Sequence, residues 1–243
     1  MPKLFEELAY RETALGVLSL RRRRHLQLKV DVLEVILGDE HLMSDLFTTS
    51  EVALARLGLA DIDRDGIDVV VGGLGLGFTA QAVLSDSRVG SLIVVEALDA
   101  IIDWHRAGLI PLGSQLAQDQ RCRLVHGDFF SMSASASGFD PEEDGRQFDA
   151  ILVDIDHAPN RLLAPHSAAF YETAGLSQVQ SHLKAGGIFG LWSDDEADDA
   201  FMAKLETVFH SASAVPVTFD IPLQDRTVTQ TIYLGRKAPA ECA

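Results

Sequence analysis

Ile67 to Phe78 reads I-D-V-V-V-G-G-L-G-L-G-F, a β-branched run that breaks into four glycines within six positions. β-Branched residues favour a buried strand. Glycines favour a tight turn whose backbone can approach a ligand. Ala80, Val83 and Leu84 then begin a helical spacing. Strand, glycine turn and helix make up the opening unit of a nucleotide-binding α/β domain.

From that unit the pattern continues as β-α-β. Strand one is Ile67 to Val71 and strand two is Ser91 to Val95, ending in Glu96. A helix with Leu98, Ile101, Ile102 and His105 on one face follows. Strand three is Cys122 to Val125, then His126-Gly127-Asp128. Ser131 to Gly145 is small, polar and acidic and reads as a surface excursion. Strand four is Phe148 to Val153, ending in Asp154. A helix through Leu176, Val179 and Leu183 is predicted to stop at Gly186-Gly187. Strand five is Ile188 to Trp192. Ser193 and Glu196 read as a capping box for a helix bearing Phe201, Leu205 and Val208. Val215 to Ile221 and Thr227 to Leu234 form a final strand pair.

Alternating strands and helices imply a mainly parallel sheet covered on both faces. Two successive strands at the end require one antiparallel edge strand. The expectation is an α/β, seven-stranded, Rossmann-like sheet of the class I methyltransferase type over residues 63 to 237. A frayed tail follows over 238 to 243. Residues 1 to 62 read as a small β-rich region with one linking helix. Its signals are an apolar run from Ala14 to Leu20, the tract Arg21 to Arg24, and an alternating Leu26, Leu28, Val30, Val32 strand. Gly38-Asp39-Glu40 marks a turn. Ser50 can cap a helix through Glu51, Leu54 and Leu57 that ends at Gly58. The four arginines suit either an anion site or a strand flank paired with acids.

Composition narrows the partners. The 243 residues carry a formal net charge of −16. Such a chain repels phosphate backbones, so nucleic acid is not expected, whereas a cationic small molecule is attracted. The two cysteines, Cys122 and Cys242, define neither a disulfide framework nor a metal spacing, and no metal is expected. MPKLFEELAYRET has no apolar signal core, and no run reaches the roughly 18 apolar residues of a membrane span. The expectation is a cytoplasmic protein without a membrane partner.

Ligands of open α/β sheets bind beyond the C-terminal ends of the strands. The residues there are Gly72, Gly73, Gly75 and Gly77, then Glu96 with Ala97, then Asp128 with Phe129. Strand four is followed by Asp154, Asp156 and His157, and strand five ends at Trp192, Ser193 and Asp194. For an adenosine ligand each has a task. The glycines admit the ligand, and Glu96, 24 residues past Gly72, accepts ribose hydroxyls. Asp128 accepts the adenine amino group, with Phe129 on the ring. Asp154 faces the reacting centre. Glu96 and Asp128 suit helix capping or strand ends equally well. Trp104 and His105 suit either an adenine wall or the core, and Trp192 and Asp194 could close an acceptor pocket.

From Ser44 to Lys237 the chain resembles the spermidine synthase superfamily, aminopropyltransferases on a methyltransferase fold. The resemblance lies in VVVGGLGLG (69–77), SLIVVEAL (91–98), VHGDFF (125–130), FDAILVDIDHAP (148–159) and LKAGGIFGLWS (183–193). It implies a ribose-binding acid at Glu96, an adenine-binding acid at Asp128 and a general base at Asp154. It also implies a homodimer or larger homo-oligomer formed through the N-terminal region. Three features depart from the family. Its glycine loop reads G-G-G-D-G-G, with an aspartate that holds the tail of decarboxylated S-adenosylmethionine, whereas Leu74 and Leu76 supply no acid. Its D-S-S-D-P segment is replaced by Asp154-Ile155-Asp156-His157-Ala158-Pro159. Its polyamine-gripping tyrosine and glutamine have no match between Leu37 and Leu59. The chain thus resembles a diverged branch.

The implied co-substrate is S-adenosylmethionine or its decarboxylated form. Asp154 is the first candidate base, with Asp156 or His157 second. Three functions follow: transfer of an aminopropyl-type group to an amine acceptor, methyl transfer to a small molecule, or nucleoside binding without catalysis.

Overall fold

The computed structural model describes residues 4–13, 16–221 and 226–240. Four strands, β1 (Phe5–Thr13), β2 (Gly16–His25), β3 (Val30–Leu37) and β4 (Glu40–Ser44), form an antiparallel sheet in sequential order. Helix α1 (Thr49–Ala60) leads to the main domain. There β5 (Ile67–Gly72), α2 (Phe78–Leu84), β6 (Val89–Glu96), α3 (Asp99–Arg106), α4 (Gly113–Gln118) and β7 (Cys122–His126) follow in turn. Next come α5 (Phe129–Ala134), β8 (Phe148–Val153), a 3-10 turn (Pro165–Tyr171), α6 (Thr173–Ser181) and β9 (Leu183–Ser193). The chain closes with α7 (Asp199–Val208), β10 (Ser211–Ile221) and β11 (Arg226–Arg236).

The main sheet has seven strands in the order β10-β11-β9-β8-β5-β6-β7. β7, β6, β5, β8 and β9 are parallel. β11 returns antiparallel beside β9 and pairs with β10. The Rossmann-like α/β sheet with an antiparallel pair at one edge is therefore present. Val69, Val70 and Val71 are fully buried because both faces of β5 are covered. Val69 and Val71 pack under α1, α2, α3 and the N-terminal sheet. Val70 packs on the opposite side with Phe129, Phe139, Leu176 and Leu205. The chain runs outward from β5 to β6 and β7, then returns to β8 on the other side of β5. Its direction reverses between β5 and β8, and a crevice opens at their C-terminal ends.

Several local expectations are corrected. Leu26 to Lys29 form the β2–β3 turn, with Lys29 at φ 56° and its N–H donating to His25 O at 2.8 Å, so the strand begins only at Val30. The arginine tract lies on β2 and pairs with acids of the flanking strands. Arg22 meets Glu6 at 3.5 Å, Arg23 meets Glu34 at 2.5 Å and Arg24 meets Asp31 at 3.0 Å. Ala14 and Leu15, from the apolar run, lie outside the described residues, as does Cys242. Helix α1 starts behind Thr48, and Ser50 donates to Glu51 Oε2 at 2.8 Å instead of capping. The helix passes through Gly58, whose bare Cα faces Leu152 on β8, and ends at Ala60.

The segment 131–145 is not a surface excursion throughout. It opens as the end of α5, and Phe139 is fully buried, stacked on Phe129 at 4.8 Å between ring centres. Asp140 is buried against Arg123 and Arg146, and the segment is exposed at Ser131, at 134–137 and at 141–145. Helix α6 ends at Ser181, and Leu183 already pairs with Phe148 in β9. Gly186 and Gly187 lie inside that strand, at a shift in register between Phe148 and Ala150. There Lys184 reaches Asp68 at 2.5 Å and Asp149 at 3.0 Å. Asp198, not Ser193, caps α7, accepting from Ala200 N at 2.8 Å and Phe201 N at 3.4 Å. No helix among the described residues is long and apolar enough to cross a membrane.

The acidic arm should be held by its aromatic residue rather than by its charges. Phe139→Ala is expected to lower unfolding free energy by about 3–5 kcal/mol. Glu142→Ala, which removes only an exposed partner of Arg123, should cost less than about 1 kcal/mol. Urea unfolding of both variants measures the contrast.

Candidate active site

Gly72 pairs with Val153 across β5 and β8, so the glycine turn and Asp154 leave the sheet side by side. Asp154 N donates to Gly72 O at 2.8 Å. Gly73 adopts φ +91°, and a Cβ there would collide with the Asp154 carbonyl oxygen. Gly73 N donates to Val95 O at 2.9 Å, tying the turn to β6 as well. Gly77, also left-handed, precedes the first residue of α2. His105 is fully buried under the turn, and its Nε2 donates to Gly75 O at 2.8 Å. Burial lowers the His105 pKa and favours the neutral ring. It is a brace for the loop, and Trp104 is part of the core. From above, Met43 of β4 rests on Gly75, so the N-terminal sheet closes over the turn.

Glu96 is buried at the end of β6. Its Oε2 accepts from Leu74 N at 3.0 Å and its Oε1 from Leu98 N at 2.8 Å. Burial pushes its pKa up, and these backbone N–H groups oppose the shift. Ala97 follows it on the wall of the neighbouring cavity. Asp128 caps α5, accepting from Phe130 N at 3.2 Å and Ser131 Oγ at 2.6 Å. Phe129 lies beneath Gly72 in the core. Both still border the cavity that Glu96 lines.

Asp154 is the group the two cavities share. One, of about 100 Å³, runs along Glu96, Ala97, Asp128 and Phe129. The other, of about 290 Å³, runs from the glycine turn past Glu51 and His157 to Trp192, Asp194 and Gln230. Gly73, Gly75, Asp154, Ile155, Leu42 and Met43 line both. Thr79 Oγ1, in the first turn of α2, donates to Asp154 Oδ2 at 2.6 Å. Burial pushes the Asp154 carboxyl up to about 6, against the pull of that hydrogen bond. Burial and then the Asp154 charge push Glu51 up to about 7. Two carboxyls facing one cleft cannot both ionise freely, so the pair tends to share a proton.

The other strand-four candidates are placed differently. Asp156 is buried and turned from the cleft. It accepts from Leu163 N at 2.7 Å, Ser167 Oγ at 3.1 Å and Tyr171 OH at 2.8 Å. It staples the segment after β8. His157 lines the larger cleft, and its Nε2 donates to Glu40 Oε1 at 3.1 Å, joining the main domain to the β3–β4 turn. Glu51 was legible only as a helix residue, because an acid in a first turn is common for dipole reasons alone. Thr79 and Gln230 carried no signal either. Their roles come from strands and helices far apart in the chain.

No family model matches the chain, and neither does any curated protein. Solved structures do match in fold. The chain has a spermidine synthase-like fold. Spermidine synthase from Thermotoga maritima aligns with a TM-score of 0.70 at 14% identity, covering 96% of this chain and 73% of that one. A spermidine synthase in complex with the transition-state analogue AdoDATO gives 0.71 at 15% identity, covering 96% and 74%. A probable spermidine synthase from Corynebacterium glutamicum gives 0.58 at 16%, covering 94% and 79%.

The carboxyl pair makes a signed prediction. Both pKa values stand above the ordinary 3.8 and 4.5, so the folded state binds more protons than the unfolded state between about pH 4 and 7. The pair's contribution to stability is full below that window and is lost as pH rises through it. Glu51→Gln is therefore expected to raise the melting temperature relative to the native chain at pH 8, with the gain shrinking toward pH 5. A pH series of thermal melts reads the difference.

Proposed function

We propose that this chain is a transferase that takes a sulfonium nucleoside against the glycine turn and passes an alkyl group of aminopropyl type to an amine acceptor. The observation that carries this reading is Asp154, which stands where the cavity along Glu96 and the larger cleft meet. In the proposed complex Gly72, Gly73, Gly75 and Gly77 pass under the nucleoside, and Glu96 and Ala97 face its ribose. Asp128 and Phe129 face the base. The fit rests on the bare glycine backbone and on Glu96, whose carboxylate the turn's own N–H groups already orient. Decarboxylated S-adenosylmethionine suits the larger cleft better than the carboxylated form. That cleft carries Glu51 and Asp154 and, among the described residues, is lined by no lysine or arginine, so a carboxylate tail would meet acids without a counter-ion. The fold neighbours support the same class, since one of them was captured with AdoDATO.

When bound, the sulfonium supplies a carbon whose bond to sulfur breaks with the electron pair leaving to sulfur. Asp154 takes the proton that the attacking amine nitrogen loses as it forms the new bond to that carbon. Thr79 holds one Asp154 oxygen, and the other serves the substrate. A carboxyl near neutrality is well matched to this work. Glu51 draws the cationic acceptor in, and binding of that cation favours ionisation of both acids. His157 borders the acceptor and ties the N-terminal sheet to the site.

Calorimetry with S-adenosylmethionine, its decarboxylated form, methylthioadenosine and S-adenosylhomocysteine tests the cofactor class. Preference for the decarboxylated form is expected, and failure of all four to bind overturns the reading. Asp154→Asn should keep nucleoside affinity within a few-fold while lowering aminopropyl turnover by about 10² to 10⁴-fold. Unchanged turnover would remove Asp154 as the base.

A further inference from the structure

The wall of the larger cleft formed by β9 and β11, beside Asp154 on β8, is built differently from the acidic Glu51–Asp154 wall. Trp192 on β9 lies opposite Ile232 on β11, and Ser193 lies opposite Thr231. The two-residue repeat of strands places Trp192, Asp194, Gln230 and Ile232 on one face, the face that α1 covers. Gln230 is nine-tenths buried and lines the cleft. Its Nε2 donates to Asp194 Oδ1 at 2.7 Å. A carboxylate can only accept, so this bond settles the amide orientation and leaves Oε1 as an acceptor. Among the described residues Gln230 Oε1 is buried without a partner, and so is the donor Trp192 Nε1 on the same wall.

Asp194 at this wall already has a cationic partner, which it shares with Asp195. Arg161 Nη2 donates to Asp194 Oδ2 at 3.0 Å and Arg161 Nε to Asp195 Oδ2 at 3.1 Å. The wall therefore offers one orphan donor and one orphan acceptor beside a carboxylate that already has a cationic partner, while the Glu51–Asp154 side offers acids with no lysine or arginine on the lining among the described residues. A second ammonium reaching this wall would donate to Gln230 Oε1 but leave the indole N–H unmet. A hydroxyl or carboxamide carries both the donor that Gln230 Oε1 lacks and the acceptor that Trp192 Nε1 lacks.

We propose that the acceptor of this cleft is a primary amine whose far end carries a hydroxyl or carboxamide, rather than a diamine. The assignment rests on the amine-transfer reading of the same cleft. It adds the chemistry of the acceptor's far end, with the ammonium at Glu51 and Asp154 and the neutral group between Trp192 and Gln230.

The test uses the full chain and a panel of three- to five-carbon aminoalkanols, the matching diamines and the matching alkylamines. Binding is read by calorimetry, and transfer is read with decarboxylated S-adenosylmethionine. The best aminoalkanol is expected to bind about tenfold more tightly than its diamine and alkylamine counterparts. Trp192→Phe keeps the ring and removes the N–H, and should bring that ratio close to one. Gln230→Met is the second variant and should do the same, with the native melting temperature as the check on folding. Equal or tighter binding of the diamine overturns the proposal, as does a ratio that survives both substitutions. Selective aminoalkanol binding without transfer keeps this proposal and removes the transferase reading. Transfer to a diamine without aminoalkanol preference does the reverse. Failure of every amine to bind overturns both.

Discussion

The contact on which the site depends is the approach of the Gly73 backbone to the carbonyl of Asp154. It exists because β5 and β8 are parallel neighbours that end in register, and because position 73 carries no Cβ in a left-handed conformation. That approach sets the turn beside the strand-four acid. Glu96 then holds the turn from the β6 side, His105 supports it from below, and Met43 covers it. Each of these four supports comes from a different element. The crevice is consequently a property of the sheet's reversal between β5 and β8, and the glycine loop only makes it open to a ligand.

Charge is distributed in a way that separates scaffold from site. The acids of the N-terminal sheet pair with Arg22, Arg23 and Arg24. At the N-terminal ends of the central strands, Asp68 and Asp149 are met by Arg146, Lys184 and Arg64. The exposed pairs among these contribute little, about 0–1 kcal/mol, whereas Glu34 and Asp149 are buried and depend on their cations. Glu51 and Asp154 are the contrast. They face one cleft, are raised by burial, and are served by hydroxyl groups rather than by cations. An acidic chain with two acids facing one cleft is suited to a cationic guest.

The central strands were readable because a strand buried on both faces writes itself as a continuous β-branched run. Errors gathered where a local signal had two meanings. Gly186-Gly187 resembles a helix stop, but here it relaxes β9 at the register shift where Lys184 reaches across to Asp68. Ser193 with Glu196 resembles a cap, whereas the chain needs five more residues to turn from β9 before Asp198 caps α7. Phe139 hid in a polar arm, and one aromatic among small residues has no periodicity to betray it. Asp128 and Asp156 were legible as acids after strands. Whether such an acid faces a ligand or ties down its own backbone depends on the turn that follows. Asp128 caps a helix at the cavity edge, and Asp156 staples the next segment away from the cleft.

Sequence alone determined the strand order's raw material, the glycine turn, the acids at the strand ends and the missing acid between Gly73 and Gly77. These are local, because strand propensity, glycine conformation and residue spacing act within a few residues of each other. Tertiary structure decided which acids work together. Four strands of the sheet lie between Glu51 and Asp154 in the chain, yet packing of α1 on the sheet brings them to one cleft. It also decided that Trp192 and Gln230 meet on one wall with unpaired polar atoms. No spacing rule could show this, since hydrogen-bond satisfaction is settled only when distant strands pair and the side chains between them lose their access to water.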